Sequence, residues 1–334
     1  MTLQDETAPQ WEQLGEAEEY AALVRQRLEH LVPVREPLVL CSQIQRSGGT
    51  LLSQLFDGHP ECHAHPHEIK IGYPREANWP PLDLARPTEW FERLFEKKAL
   101  THFVEGYQKR GAKLEGKTYP SYDVFPFLFL PRLQKAIFDR CAAEARNERD
   151  VLDAYFTSYF NAWLDNQNLY TGPKKVVTGF TPRLAMDPAN RDKFFAAYPD
   201  GTLISIVREP HSWYESAVKY SLRRFPDVET ALGLWRASTE AALDERVVVV
   251  TYERLVEQPE EAVAQLAERI GITMSPVLLE PTFNGRPIRA NSAEEVAQYG
   301  ILANRDKPSL EPETAARIDE LAGDLYERVA ALSV

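Results

Sequence analysis

The chain alternates between short, continuous apolar runs and longer stretches in which apolar residues recur at helical spacing. Four runs have strand character: Leu38-Val39-Leu40-Cys41-Ser42-Gln43-Ile44, Lys175-Val176-Val177-Thr178, Thr202 to Val207, and Arg246 to Thr251. Continuous runs, unlike alternating ones, belong to strands covered on both faces. With helical segments between them, they predict an α/β fold of three layers, a central, mainly parallel sheet between helices. The helices are marked by Trp11 to Leu31, by Leu51, Leu52, Leu55 and Phe56, by the broad apolar face of Val151 to Leu164, and by Val263, Leu266 and Ile270 between Pro259 and Gly271. Pro suits a first helical turn and Gly the residue after the last.

From Gly72 to Arg132 the pattern changes to interrupted helical spacing rich in Pro and aromatic residues. We read residues 1–334 as one domain with residues 73–132 as a helical, aromatic-rich insertion. Trp79, Trp90, Phe91, Phe95, Phe103, Tyr107, Tyr119, Tyr122, Phe125, Phe127 and Phe129 either pack this insertion on the sheet or line an acceptor pocket at the carboxyl ends of the strands.

The 334 residues carry 38 Lys plus Arg against 50 Asp plus Glu, a net charge of −12. That average field repels polyanions, so nucleic acid is not an expected partner and any anion must meet a local site. Three widely spaced cysteines, without a CxxC pair, fit a reducing compartment. No stretch approaches the roughly 20 apolar residues of a membrane span, and Met1 to Tyr20 lacks the basic start and apolar run of a secretory signal. A cytoplasmic protein without membrane insertion is expected; the oligomeric state is not legible.

The candidate chemistry begins after the first strand. In Gln45-Arg46-Ser47-Gly48-Gly49-Thr50 small residues let backbone N–H groups converge on one point, and the following helix adds its positive amino end. Arg46 supplies a fixed charge and Thr50 a hydroxyl. The nucleotide-triphosphatase loop GxxxxGK[ST] differs by its Lys, absent here, and Glu253 is the only acidic residue at a strand end placed to hold a metal. A metal-free phosphate site is therefore favoured over a small-molecule kinase.

Ile44 to Leu52 resembles the 5′-phosphosulfate loop of the sulfotransferases that use 3′-phosphoadenosine 5′-phosphosulfate (PAPS). Val207-Arg208-Glu209-Pro210-His211-Ser212-Trp213-Tyr214-Glu215-Ser216 resembles their 3′-phosphate segment, in which a strand-end Arg and a Ser eight residues on grip the phosphate. Val250 to Leu255 is similar to a third segment late in these enzymes, and Asn284-Gly285-Arg286 and Asn291-Ser292 to their tail. The resemblance implies a PAPS-dependent sulfotransferase of the bacterial or carbohydrate-type branch, releasing PAP and acting on a hydroxyl or amine of a small acceptor such as a sugar, lipid or metabolite. It assigns Arg46, Ser47, Gly48, Gly49, Thr50, Leu51, Arg208, Ser216, Arg289, Asn291 and Ser292 to the donor. Arg46 would also stabilise the transferring group.

The same resemblance places the base at Glu68, with His65 or His67 as substitutes. His63, His65 and His67 alternate and would share one face of an extended chain, but no fourth metal ligand is evident and no metal is expected. The family's other base, a His in a Lys-Thr-His-x-Pro segment, corresponds here to Thr178-Gly179-Phe180-Thr181-Pro182-Arg183, which has neither that His nor the Lys. Arg183, Lys174 or Lys175 could replace the cation. The competing reading is a catalytically degenerate protein of the same fold that binds an adenosine nucleotide without turnover.

Overall fold

All four expected runs form strands, and a fifth joins them. The computed structural model describes residues 16–69, 79–101, 103, 106–108, 113–114, 117–118, 124–288, 300–301 and 310–334. Strands β1 (Leu38–Cys41), β2 (Cys62–Glu68), β3 (Val176–Phe180), β4 (Thr202–Val207) and β5 (Val247–Thr251) build one sheet in the order β2-β3-β1-β4-β5. Every pairing in it is parallel. All strand carboxyl ends therefore lie along one rim.

Period-two alternation sends successive residues to opposite layers. Leu38 and Leu40 join Tyr155, Phe160, Val177 and Leu203 in one apolar cluster, while Val39 and Cys41 join Leu52, Leu55, Phe180 and Ile204 in another. The first layer is led by the helix Glu148–Ala162, the second by α-helices Gly49–Phe56 and Pro259–Ile270. A third cluster around Trp213, Trp235 and Val249 seats the helices Pro210–Tyr220 and Val228–Ala241. Each fully buried side chain of this size contributes about 1.5–3 kcal/mol, which makes the three-layer arrangement the stable one.

Helix ends follow from their residues. Asn147 accepts from the Asp150 N–H ahead of Glu148–Ala162, and Pro259 and Gly271 (φ 76°) bound Pro259–Ile270. The strand β2 was not anticipated, because Cys-His-Ala-His-Pro-His-Glu has no β-branched or large apolar residue. It lies at one border of the sheet, where Pro66 is tolerated. Its register with β3 shifts between Ala64 and Glu68. At the other border, Val334 donates its N–H to the Val249 carbonyl at 3.0 Å, and the Thr251 N–H donates to Ser333 Oγ at 3.0 Å.

Within residues 73–132 the described elements are the 3-10 turn Pro87–Glu89, two one-turn helices, Trp90–Leu94 and Lys97–Thr101, two-residue strands, of which Tyr107–Gln108 pairs with Val124–Phe125, and the start of the helix Pro131–Ala142. Trp79, Trp90, Phe91, Phe125 and Phe127 are buried in the first cluster, with Phe95, Phe103 and Phe129 packed against it. These aromatics attach the segment to the sheet. Tyr119 and Tyr122 lie outside the described residues.

Candidate active site

The turn after β1 depends on two residues in the left-handed region, Arg46 (φ 75°) and Gly48 (φ 106°). Glycine is required at 48: a Cβ there would stand 2.7 Å from Tyr252 Cδ2 and 3.0 Å from Ile206 Cδ1. At Gly49, a Cβ would run into the side chain of Gln43. The non-glycine strain at Arg46, about 1–3 kcal/mol, is held by its surroundings. Trp213 Nε1 donates to the Gln45 carbonyl at 2.9 Å, Arg183 Nε to Gln45 Oε1 at 2.7 Å, and the Ile44 N–H to Ser238 Oγ at 2.8 Å.

This turn and the β4 end meet. Arg46 Nε donates to Ser216 Oγ at 3.0 Å, across 170 residues of sequence. Arg208, only 8% exposed, donates through Nε to Ser212 Oγ at 3.1 Å, and its guanidinium lies 4.6 Å from the centre of the Tyr252 ring. The Arg46 guanidinium lies 5.3 Å from the Tyr220 ring. Burial lowers the Arg46 pKa, and the neighbouring charge of Arg208 lowers it further. Among the described residues neither guanidinium forms a salt bridge. Two largely buried cations close enough to repel, with Glu253 near Arg208 but already committed to other donors, form a site that an anion would neutralise.

Other residues of the turn offer different groups. Among the described residues Ser47 Oγ is buried without a partner, and Leu51, in the first turn of Gly49–Phe56, packs its side chain against the second cluster, so neither side chain is offered as Arg46 is. Thr50 is exposed. Arg289, Asn291 and Ser292 lie outside the described residues. Glu253, the acidic residue weighed for a metal, uses one oxygen to accept the Glu209 N–H at 3.1 Å and the other to accept Tyr326 O–H at 2.7 Å. It fastens the start of Pro210–Tyr220 to the carboxyl-terminal helices.

Of the three cations considered near Pro182, Arg183 alone stands at this rim. Lys174 donates to the Pro60 carbonyl at 2.8 Å and Lys175 pairs with Glu61 at 2.8 Å, both at the amino end of β3. Glu68 ends β2 opposite Phe180, half-buried, on the same rim as Arg46, Arg183 and Arg208. The three alternating histidines do share a face: His63 lies 5.1 Å from the Phe160 ring, and His65 lies 4.5 Å from that of Tyr159. His65 and His67 gather with Glu96, their nearest ligand atoms all within 4.8 Å of one another, while His63 stays outside this group. Burial opposes ionisation of Glu96, yet His65, His67 and Tyr155 hold its carboxyl down at about 2.

Sequence reasoning missed four of these residues. Ser212 could have been found from its place one helical turn after Arg208. Tyr252 fell inside the Val250 to Leu255 resemblance but without a role, Tyr220 gave no signal beyond its aromatic character, and Glu96, 28 positions beyond Glu68, gave none.

The model of the sulfotransferase family matches residues 37–276, most of the chain and all the segments just described except the tail. The chain belongs to the sulfotransferase family. This sulfotransferase has no match among the curated proteins. Solved structures similar to it include the sulfotransferase domain from the curacin biosynthetic pathway, 18% identical, over 86% of this chain and 98% of that one, with a TM-score of 0.44. The sulfotransferase domain of the Synechococcus PCC 7002 olefin synthase is 16% identical over 90% and 95%, with a TM-score of 0.47. Retinol dehydratase in complex with androsterone and the inactive cofactor PAP is 13% identical over 91% and 86%, with a TM-score of 0.34. Family membership rests on the matched segment and not on these structures. Among the described residues no helix is long and apolar enough to cross a membrane.

Proposed function

We propose that this sulfotransferase takes its sulfuryl group from PAPS and gives it to a hydroxyl or amine of a small acceptor. The observation that carries this is the Arg46–Ser216 hydrogen bond at 3.0 Å, which brings the turn after β1 within reach of Arg208. One donor with phosphate groups at both ends of its ribose would neutralise both cations. In this reading Arg46 and the backbone N–H groups of Ser47 to Leu51 hold the phosphosulfate end, and Arg208, Ser212 and Ser216 the 3′-phosphate. Arg289, Asn291 and Ser292 are proposed to cover the donor.

Glu68 is the proposed base. As the S–O bond to PAP breaks, the acceptor oxygen forms the new S–O bond and its proton passes to the Glu68 carboxylate. Arg46 offsets the charge that develops on the sulfuryl oxygens, and Arg183, fixed behind the turn through Gln45, stands in for the cation missing before Pro182. His65 and His67 are poor substitutes for Glu68, because the ring nitrogens of both are already engaged. The residues of 73–132 supply the acceptor side. A cytoplasmic setting accords with three cysteines that are all free.

The test is calorimetric titration with PAP, followed by a screen of alcohol and amine acceptors with labelled PAPS. Glu68→Gln should bind PAP as the parent does and lose turnover by about 100-fold or more. Binding of PAP without turnover on any acceptor would support the degenerate reading, and no binding of PAP would refute both.

A further inference from the structure

We infer that His65 and His67 are positioning residues that fix the backbone on either side of Glu68; this rests on the reading of Glu68 as the base. The need for such a device is visible in β2. Its ladder with β3 runs regularly from Cys62 to Ala64 and then slips, and Pro66, inside the slip, has no N–H to give. Glu68 thus sits where the ladder resumes, opposite Phe180, directly after the stretch that the sheet does not pair.

Two imidazoles bridge the interruption. His65 Nδ1 lies 2.8 Å from the His67 carbonyl oxygen, and His67 Nδ1 lies 2.8 Å from the Glu68 carbonyl oxygen. Those carbonyls belong to the two peptide groups that flank the Glu68 Cα. A carbonyl only accepts, so both Nδ1 atoms carry hydrogen and both rings donate. The second peptide group is also held from its other end, where the Ile69 N–H donates to the Phe180 carbonyl at 2.8 Å. With both planes fixed, the direction in which Glu68 leaves the backbone is fixed too.

The rings are in turn fixed by their far nitrogens. His65 Nε2 lies 3.1 Å from Glu96 Oε1, which also accepts the Tyr155 O–H at 2.7 Å, and both the His65 and Glu96 side chains are 0% exposed. His67 Nε2 lies 2.7 Å from the Tyr159 hydroxyl. Phe103 covers His67 at 5.0 Å between ring centres. Glu96 and Phe103 come from the segment after residue 72, so that segment reaches Glu68 through the two histidines.

The same three side chains have the composition of a metal site, but the hydrogen positions argue otherwise. The His67 nitrogen nearer Glu96, Nδ1 at 3.7 Å from Oε2, is the one whose hydrogen goes to the Glu68 carbonyl. A metal ligand would need the lone pair that this hydrogen occupies. Clamp and metal site are therefore mutually exclusive, which makes the choice measurable.

The test uses His67→Asn and His67→Gln in the full chain. An Asn amide nitrogen falls near the Nδ1 position and keeps the donor to Glu68, whereas Gln reaches only toward Nε2 and loses it. Two readouts apply: hydrogen exchange of the Glu68 and Ile69 amides, and PAP release from PAPS, to an acceptor or to water. We expect His67→Gln to speed that exchange and lower kcat about 10- to 100-fold with KM for PAPS little changed, and His67→Asn to stay close to the parent. Equal behaviour of the two variants, or losses that simply follow a fall in melting temperature, would overturn the inference. So would a stoichiometric transition metal in the purified protein that Glu96→Gln removes. Full turnover by Glu68→Gln would instead sink the base assignment, and the exchange readout separates that outcome from failure of the clamp.

Discussion

Replacing Arg208 by Ala probes the pairing of two anion subsites most directly. Its Nε is committed to Ser212 Oγ at 3.1 Å, which leaves the terminal nitrogens for a phosphate. Removing one partner of a desolvated, hydrogen-bonded charge pair costs about 2–5 kcal/mol. The repulsion of Arg208 that helps to lower the Arg46 pKa is present in the free and the bound protein alike, so its removal does not offset this loss. A net cost near 3 kcal/mol corresponds to a roughly 100-fold weaker Kd for PAP. Adenosine 5′-phosphosulfate, which has no 3′-phosphate, should lose little. Titration calorimetry of both ligands at one fixed ionic strength gives the comparison, with Arg208→Lys as a control that keeps the charge but not the fork. Equal losses for the two ligands, or less than a fivefold change for PAP (about 1 kcal/mol), would refute the assignment.

Gly48→Ala meets both a left-handed backbone and a contact of 2.7 Å with Tyr252, so we expect a destabilisation of about 2–5 kcal/mol and a fall in PAP affinity as Tyr252 shifts from Arg208; melting and titration would show it. Burial pushes the His63 imidazole down to about 3, below its unfolded value, so the unfolded chain takes up a proton that the folded chain refuses. Stability should therefore fall as pH drops from about 6.5 toward 3, and His63→Leu should flatten that fall in chemical denaturation. Burial pushes the Cys41 and Cys62 thiols up to about 12, so at pH 8 maleimide should label neither in the folded protein, while the half-buried Cys141 reacts first in a mass-spectrometric time course.

Where residues determine local structure by themselves, the sequence was a sufficient guide. The valine-rich runs became strands because a sheet covered on both faces buries a continuous apolar run of that length, and Gln45 to Gly48 became a turn because Gly48 permits it. What stayed hidden was set by tertiary contact. Cys62–Glu68 is a strand by virtue of its place beside β3, not its composition, and Ser216 turns to Arg46 while Ser212 takes Arg208. Lys174 and Lys175 were open candidates until the direction of β3 placed them at the wrong rim.

The hydrogen bonds of Ser333 and Val334 along β5 bear on how the molecule keeps to itself. A terminal strand of a parallel sheet normally presents unpaired amides that can recruit a second chain. Here two residues already occupy those positions, at Val249 and Thr251. Deleting them should convert a quiet flank into an adhesive one, seen as concentration-dependent self-association before any loss of the binding site.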